Sequence, residues 1–439
     1  MKVRIDRLGI NGEGIFNINE GENKGKVAFV DFALPNEIVD VSITKEKSNY
    51  SKCKLNSVIT PSVDRVNPIC KHFFECGGCD IQHIATEQQI LFKKKKILDV
   101  INKISNDITD IDVVRLQDYY YRNKMVFAFE YHDDEIIIGM KKKESNEVID
   151  IENCYLAKDN INAVLKISKK YFSKHSKRYL SIKDKLRLKY LVVREFNNKY
   201  LVSIVCNEKC DFQEYYLYLK KFFEDISVSI VINKSDSEIL AGKYIHLYGN
   251  RNINITEMGI NYNIDIMSFL QVNDKIKNEL YNAILSFLEI TDFVVNAYSG
   301  AGLLSGIIAK KCRDVVGIEI NKFASQSADD LKKQNNLNNL QNICGDANKI
   351  LPQVCNMHKN SVVVLDPARS GCGREIDKFL SQKSGFLPKR IIYVSCNPAT
   401  LARDLECIKN NYSIKYVCGY EMFVQTKHIE TLVVLDRKD

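Results

Sequence analysis

Short apolar segments that end in polar residues recur through the last third of the chain, and they restrict its fold more than any other feature. They lie at residues 293–302, 315–320, 343–347 and 362–366, and a β-branched-rich apolar stretch follows at 391–394. The intervals between them are predicted to be helical. Strands that alternate with helical segments at this spacing predict βαβ units and a parallel sheet. We therefore expect a doubly wound α/β sheet, in which ligands bind at the carboxyl ends of the strands.

The residues at the ends of these strands indicate a cofactor site. The first strand runs into a turn that contains Gly300 and Gly302, and residues 303–311 continue as a helix. Backbone N–H groups in such a turn can approach a ligand closely. Glu319 follows this turn near the position where an acidic residue binds the ribose hydroxyls of a cofactor. Asp346 lies where it can reach an adenine. Each acid alone is equally compatible with a helix cap or a loop charge, but their ordered recurrence favours a site.

A cysteine follows the last of these strands. Cys396 stands between an apolar run and Pro398, which opens a helix-like segment. A thiol at the ligand-binding edge of the sheet can act as a nucleophile if its pKa falls enough to supply thiolate. Most of the 14 cysteines in the chain are better interpreted as small buried hydrophobes. Cys396 is the exception, because a predicted cofactor site surrounds it.

Four segments resemble those of the RNA uracil-5-methyltransferases, which use S-adenosylmethionine. They correspond to the family's nucleophile motif, its substrate-base loop, the C-terminal strand that carries its general base, and its cofactor motif: residues 393–404, 366–369, 428–435 and 269–273. The resemblance extends over essentially the whole chain. It departs from the family at Asn296, where an acid is common, and at Leu303, where some members place a polar cofactor contact.

The resemblance implies methyl transfer to C5 of a uridine in RNA. Cys396 would add to C6 and make C5 nucleophilic, and Glu430 would later remove the C5 proton so that the thiol is eliminated. A surface charge on an edge strand is the alternative for Glu430. The cofactor contacts implied by the resemblance are Gln271, Tyr298, Glu319, Asp346 and Asp366.

Two other function classes stay open at this point. One is an RNA-binding protein with an inactive methyltransferase fold, which the complete set of site residues argues against. The other is an exocyclic-amino methyltransferase, which needs no covalent thiol. Its base-holding loop would carry an aromatic residue to stack on the base, and the loop 366–369 has none.

A second group of cysteines lies near the N-terminus. Cys70, Cys76 and Cys79 are closely spaced, and Cys154 lies far downstream. Three neighbouring cysteines and a distant fourth can hold a [4Fe–4S] cluster. Zinc is the alternative, although zinc sites more often use two pairs of cysteines. Because the spacing resembles the cluster motif of the same methyltransferase family, we favour iron–sulfur.

The N-terminal region and the middle of the chain are predicted to be rich in strands. Five short N-terminal strands indicate an OB-like barrel that binds nucleic acid, with protein docking as the alternative: 3–10, 14–18, 26–32, 38–46 and 52–59. Residues 32–41 resemble the TRAM domain. Four further segments predict a central antiparallel sheet: 127–131, 136–140, 186–193 and 200–206.

A helix that begins near Thr86 is expected between these parts. Its apolar face is predicted to contain Ile90, Leu91, Ile97, Leu98, Ile101 and Ile104. A basic turn at residues 93–96 is interpreted as a solvated helix face, with an RNA phosphate contact as the alternative.

These observations predict three domains. They are a TRAM domain at 1–60, a central α+β iron–sulfur domain at 61–90 and 120–262, and a Rossmann-like methyltransferase domain at 91–119 and 263–439. A formal net charge of +8 is compatible with a polyanionic partner. We expect a cytoplasmic monomer that binds RNA and not DNA or membranes, since the chain has no apolar stretch long enough to span a bilayer and its N-terminus has no apolar signal core. The TRAM and cysteine motifs together favour 23S ribosomal RNA as substrate, with transfer RNA as the alternative.

Overall fold

The computed structural model describes residues 1–19, 24–105, 107–132, 135–183, 186–235, 238–382 and 386–438. The described chain contains three large sheets and one separate hairpin. The first sheet has six strands in the order β1-β5-β6-β4-β3-β2. They are β1 (Lys2–Arg4), β2 (Arg7–Leu8), β3 (Gly14–Asn17), β4 (Val27–Val30), β5 (Ile38–Glu46) and β6 (Tyr50–Thr60).

The N-terminal segment closes this sheet into a barrel. The expected single strand over 3–10 is wrong, because the chain changes partner between Ile5 and Asp6. The Ile5 N–H donates to the Glu37 carbonyl (3.0 Å), and the Asp6 N–H donates to the Ile15 carbonyl (2.8 Å). β1 therefore pairs with β5 and β2 with β3, at opposite ends of the strand order. Two consecutive pieces of chain can lie at both ends only if the sheet curls, as the OB-like prediction requires.

The next part of the chain passes through a long helix into the central sheet. The helix α1 (Thr86–Ile101) and the short strand β7 (Asp112–Val114) come first. The central elements are β8 (Lys124–Tyr131), β9 (Ile136–Lys141), β10 (Val148–Asp150), α2 (Asp159–Lys174), α3 (Ser176–Ser181), β11 (Leu188–Phe196), β12 (Lys199–Cys206), α4 (Gln213–Leu219), β13 (Asp225–Ile232) and β14 (Lys243–Tyr248). The strand order is β10-β9-β8-β11-β12-β13-β14.

The four predicted segments of the central sheet form β8, β9, β11 and β12, which pair antiparallel as expected. The complete sheet is mixed, because it also contains β13, a strand that was not predicted. β12 and β13 run parallel, with Lys199 opposite Asp225. Parallel neighbours need a crossover, and α4 supplies it. This helix buries Tyr215 and Leu219 in the apolar core of the central sheet. The crossover helix therefore packs against the sheet through its apolar face.

The helix α1 buries a polar stripe that its sequence does not indicate. Its buried residues are Gln89, Lys93, Ile97, Val100 and Ile101, whereas Leu91 of the expected apolar face is 52% exposed. Lys93 is fully buried, and its Nζ lies 2.8 Å from Oε1 of the equally buried Glu421. The interpretation of residues 93–96 as a solvated turn is therefore wrong for Lys93.

The last part of the chain forms the predicted α/β sheet. It opens with the hairpin β15 (Ile253–Glu257) and β16 (Ile260–Ile264), followed by α5 (Asp274–Ser286). The remaining elements are β17 (Phe293–Ala297), α6 (Leu303–Ala309), β18 (Asp314–Glu319), α7 (Lys322–Gln334), β19 (Leu340–Cys344), α8 (Ala347–Met357), β20 (Val362–Leu365), α9 (Arg374–Ser381), β21 (Arg390–Ser395), α10 (Pro398–Ile408), β22 (Tyr412–Tyr420) and β23 (Glu430–Arg437).

The strand order of this sheet creates a ligand-binding edge. It is β19-β18-β17-β20-β21-β23-β22-β7, and the first five strands in this order run parallel. The order reverses at β17, which pairs with β18 on one side and β20 on the other. Ligands of doubly wound sheets bind outside the strand ends at such a reversal. Within the described ranges, no helix has the length and apolarity needed to cross a bilayer.

Replacing Lys93 by methionine is expected to lower the free energy of unfolding by about 3 kcal/mol, because it leaves the buried Glu421 carboxylate without its nearer cation. Lys95→Met is the matched control, since Lys95 lies on the exposed side of the same helix. Urea denaturation of both variants measures the difference. Equal losses in the two variants would contradict the stabilising role of the buried pair.

Candidate active site

Three predicted site residues meet at the edge of the C-terminal sheet. Asp366 directly follows β20, Cys396 directly follows β21, and Glu430 is the first residue of β23. β21 and β23 are antiparallel with Ser395 opposite Thr431. One further step in this register places Cys396 opposite Glu430, because paired residues in an antiparallel ladder advance in opposite directions. The fold thus brings together a thiol and a carboxylate that a helix and a strand separate along the chain.

The surroundings of Cys396 raise its pKa, so the free protein does not meet the condition of a lowered pKa under which the thiol would readily supply thiolate. Burial raises the pKa of the thiol to about 11, the carboxylates of Glu430 and Asp366 act in the same direction, and the guanidinium of Arg369 opposes them. A thiolate next to two carboxylates is disfavoured by like-charge repulsion as well as by desolvation. The free protein therefore holds Cys396 as a thiol at neutral pH.

The two carboxyl groups are also displaced towards their protonated forms. Glu430 is 5% exposed, and burial raises its pKa to about 8, with a further contribution from Asp366. Asp366 keeps some solvent contact, yet the protein packed around it raises its pKa to about 7. Raised carboxyl pKa values of this size let a group accept or hold a proton near neutral pH, as general acid–base chemistry requires.

The loop after β20 is fixed by α10. The Asp404 carboxylate accepts hydrogen bonds from the Tyr393 hydroxyl (2.6 Å) and the Cys372 N–H (2.8 Å). The Asn397 side-chain amide donates to the carbonyl of Arg369 (3.1 Å). Sequence reasoning did not assign roles to Arg369 or Asp404, although both lie inside the motifs 366–369 and 393–404. These bonds hold the Arg369 backbone beside the catalytic edge.

The predicted cofactor residues lie at the ends of the neighbouring strands. Glu319 links two of these ends, because its carboxylate accepts from the Gly300 N–H (2.9 Å) and the Asn321 N–H (2.7 Å). Tyr298 adopts a left-handed backbone conformation with φ 63° in the turn after β17. Asp346 caps α8 through the N–H of Asn348 (2.9 Å). Their contacts with a cofactor remain predictions.

Gln271 lies in the connection between β16 and α5, away from these strand ends in the chain. Its carbonyl accepts a hydrogen bond from the side-chain amide of Asn123 (3.0 Å), and the Asn123 N–H donates to the carbonyl of Val272 (3.0 Å). The fully buried Asn123 thus ties the central sheet to the Gln271 segment. Within the described part of the chain, no hydrogen bond or ion pair joins the Gln271 side chain to Cys396 or Glu430.

The N-terminal cysteines surround a common cavity. Its lining includes Cys70, Cys76, Cys79, Cys154, Phe73, Met140 and Ile151. The Gly78 N–H donates to Cys76 Sγ (3.4 Å), and the Gln82 amide donates to Cys79 Sγ (3.2 Å). Although all four thiols share this cavity, no group of three or more His, Cys, Asp or Glu side chains in the described residues is arranged to hold a metal ion.

Comparison with protein families gives two matches. Residues 85–438 match the family described as tRNA (uracil-5-)-methyltransferase, and residues 1–55 match the TRAM domain. The first match covers most of the chain and includes Asp366, Cys396 and Glu430.

Similar proteins extend over nearly the whole chain. An uncharacterized RNA methyltransferase of Clostridium tetani is 31% identical over 98% of this chain and 95% of its own length. Another, from Fusobacterium nucleatum, is 30% identical over 100% of this chain and 96% of its own length. The crystal structure of the Pyrococcus abyssi tRNA (uracil-54, C5)-methyltransferase in complex with S-adenosyl-L-homocysteine aligns with a TM-score of 0.78 and 24% identity, over 99% of both chains. This structural likeness supports the fold.

The raised pKa of Cys396 predicts slow alkylation in the free protein. The rate of carbamidomethylation at Cys396 is expected to rise roughly tenfold per pH unit between pH 7 and 10, because only the thiolate reacts. Mass spectrometry of the peptide that contains Cys396, after short exposures to iodoacetamide, measures this rate. A rate that reaches its plateau below pH 8 would contradict the raised pKa.

Proposed function

This chain belongs to the RNA (uracil-5-)-methyltransferase family and is an S-adenosylmethionine-dependent RNA methyltransferase, and on that premise we propose that it modifies a uridine of 23S ribosomal RNA through a covalent adduct with Cys396. The observation that supports the covalent route is the pairing of Ser395 with Thr431, which brings the next residues, Cys396 and Glu430, to one edge of the sheet, where Glu430 acts electrostatically on the thiol. A thiol alone could be structural. Here the thiol lies at one edge of the sheet together with a buried carboxyl group and the fixed loop of Arg369. Such a combination can carry out addition to a base followed by elimination.

The proposed reaction divides between two residues. The Cys396 thiol first loses its proton to solvent. The thiolate sulfur then forms a bond to C6 of the uracil, and the electron pair of the C5–C6 double bond moves to C5 and the conjugated carbonyl. Bound S-adenosylmethionine supplies the methyl group that C5 accepts. The Glu430 carboxylate then takes the C5 proton, the bond between sulfur and C6 breaks, and the thiolate is released. Asp366 is proposed to contact the target base or the cofactor's methionine end, and Arg369 favours the thiolate by its charge.

The proposed cofactor contacts follow the strand ends. Glu319 is proposed to bind the ribose hydroxyls and Asp346 the adenine, with Tyr298 and Gln271 as further contacts. The Gly300 N–H already bonded to Glu319 supports this arrangement, because it holds the turn after β17 against the end of β18. We also propose the three-domain division predicted from the sequence.

A [4Fe–4S] cluster is proposed at Cys70, Cys76, Cys79 and Cys154. Four thiols on one cavity and N–H···S hydrogen bonds at two of them support this choice, since such bonds are typical of the surroundings of cluster ligands. The cluster would connect Cys154 to the distant segment 70–79 and so stabilise the central domain. Its proposed role is structural.

The choice of RNA rests on the domain combination. A TRAM domain together with the four-cysteine motif resembles the 23S enzymes of the family. Transfer RNA is the second candidate, because the matching family is described by tRNA and the aligned Pyrococcus abyssi enzyme acts on tRNA. Both substrates agree with the net charge of +8.

Mapping of 5-methyluridine decides between the two RNAs. In a strain that lacks this chain, one uridine of 23S ribosomal RNA is expected to lose its methyl group, and the purified protein should restore it on a 23S transcript. Mass spectrometry of both RNA classes is the measurement. Loss confined to transfer RNA would overturn the ribosomal assignment and leave the chemistry unaffected.

Replacing Glu430 by glutamine is expected to trap the reaction after methyl transfer, because the C5 proton then has no base. The variant should accumulate a denaturant-resistant RNA–protein adduct, already methylated, that disappears in the Cys396→Ala, Glu430→Gln double variant. Cys396→Ala alone should abolish methyl transfer and change S-adenosylmethionine affinity only a few-fold. Gel electrophoresis and calorimetry measure both. Near-normal turnover by Glu430→Gln would exclude it as the base.

If the proposed cluster is bound, protein purified without oxygen is expected to be brown, with broad visible absorbance from iron–sulfur charge transfer. Cys79→Ser is expected to bleach the protein and lower its solubility. Cys344→Ser is the control, since Cys344 is an exposed thiol outside the cavity. Stoichiometric zinc without iron, in protein made with adequate iron, would support the zinc alternative.

A further inference from the structure

The segment that leads into Glu430 is held by the residues that follow Cys79. Residues 421–429, here called the base loop, connect β22 to β23. Gln425 lies at the middle of this loop in a left-handed conformation, with φ 66° and 2% exposure. Its carbonyl accepts hydrogen bonds from the N–H groups of Asp80 (3.0 Å) and Ile81 (3.2 Å). A non-glycine residue holds such a conformation only where its surroundings fix it.

The Asp80 side chain makes a second bond to the base loop. Its Oδ2 accepts from the Lys427 N–H at 3.1 Å, and its Oδ1 lies 4.0 Å from the Lys427 Nζ. The carbonyl of Lys427 is held in turn by the Lys96 Nζ (2.9 Å). Both backbone polar groups of Lys427, which lies shortly before Glu430, are therefore fixed from outside the loop.

A buried amide completes the attachment. The Gln89 side-chain nitrogen lies within hydrogen-bond distance of the Gln425 side-chain oxygen (3.0 Å) and of the Ile81 carbonyl (3.0 Å). In the described residues, by contrast, no hydrogen bond fixes the carboxylate of Glu430. Its position depends on packing and on the backbone path of the base loop.

We propose that Asp80 is a positioning residue for Glu430, which it holds in place by fixing the backbone of the base loop at Lys427. Asp80 touches neither the thiol nor the carboxylate of the catalytic edge, and it acts through the loop. Because Asp80 directly follows Cys79, the same short segment connects the four-cysteine cavity to the base. The inference rests on the role proposed above for Glu430.

The experiment compares two substitutions of the same side chain in the full-length protein. Asp80→Ala removes the acceptor for the Lys427 N–H, whereas the amide oxygen of Asp80→Asn can still accept it. Each variant is mixed in excess with in vitro transcripts of 23S ribosomal RNA and of tRNA under single-turnover conditions. Methyl incorporation and denaturant-resistant adduct are followed together in time.

Asp80→Ala is expected to transfer the methyl group within about threefold of the wild-type rate and to release the methylated RNA at least about tenfold more slowly, so that adduct accumulates. Asp80→Asn should behave like the wild type in both steps. Gln425→Gly provides a second test, since glycine accepts the left-handed conformation and keeps the carbonyl that binds Asp80 and Ile81, but loses the buried side chain and its bond to Gln89. It should also slow release selectively, by a smaller factor.

Three results would overturn the inference. They are wild-type release by Asp80→Ala, an equal fall of methyl transfer and release, and the same defect in Asp80→Asn. Thermal melting identifies a variant that has lost its fold. If Asp80→Ala has done so, the release rate of Gln425→Gly tests the inference in its place. Glu430→Gln runs in parallel. Adduct in Glu430→Gln but not in Asp80→Ala rejects the positioning role alone, whereas adduct in neither rejects the base assignment and this inference with it.

Discussion

The antiparallel insertion of β23 between β21 and β22 is the constraint that brings Cys396 and Glu430 to the same edge of the sheet. A parallel strand in that place would begin at the opposite edge of the sheet, and Glu430 would lie a full strand length from Cys396. With β23 antiparallel, its first residue lies next to the last residues of β21, as the pairing of Ser395 with Thr431 shows. β23 is buried on both faces, with Leu432 and Val434 in one apolar cluster and Val433 and Leu435 in another. A shift by one residue would exchange these two sets of side chains between the clusters, so packing on both faces supports the register of the ladder.

The same burial that assembles the site determines its electrostatics. Glu430 and Asp366 are both desolvated by the fold, and the charge of Asp366 adds to the cost of ionising Glu430, so both pKa values move towards neutrality. The neighbouring thiol is then kept protonated. Because the thiolate is the reactive form of a cysteine, a raised thiol pKa lowers the reactivity of Cys396 in the free protein. The Arg369 loop, fixed by Asp404, holds the opposing positive charge in place.

Elements that are distant in sequence hold the parts of the molecule together. The buried Lys93 and Arg115 both approach Glu421, at the start of the base loop. Asn123 connects the central sheet to the segment that contains Gln271. Cys70, Cys76 and Cys79 line the same cavity as the distant Cys154. Buried charges and amides of this kind stabilise one arrangement in particular, because each loses its partner if the elements shift.

Local sequence patterns were sufficient to predict the doubly wound sheet, the strand ends with Glu319, Asp366 and Cys396, and the family to which the chain belongs. These features depend on residue order and short-range periodicity, which the sequence contains directly. Tertiary structure alone decided the others. Lys93 is buried because Glu421, from the far end of the chain, lies opposite it. The Cys396 pKa rises because the fold buries the thiol and places the carboxylates of Glu430 and Asp366 near it. The strand predicted over residues 3–10 divides into β1 and β2 because the two pieces pair with different strands, which closes the barrel. Desolvation and charge pairing depend on which residues become neighbours in space, and no local pattern contains that information.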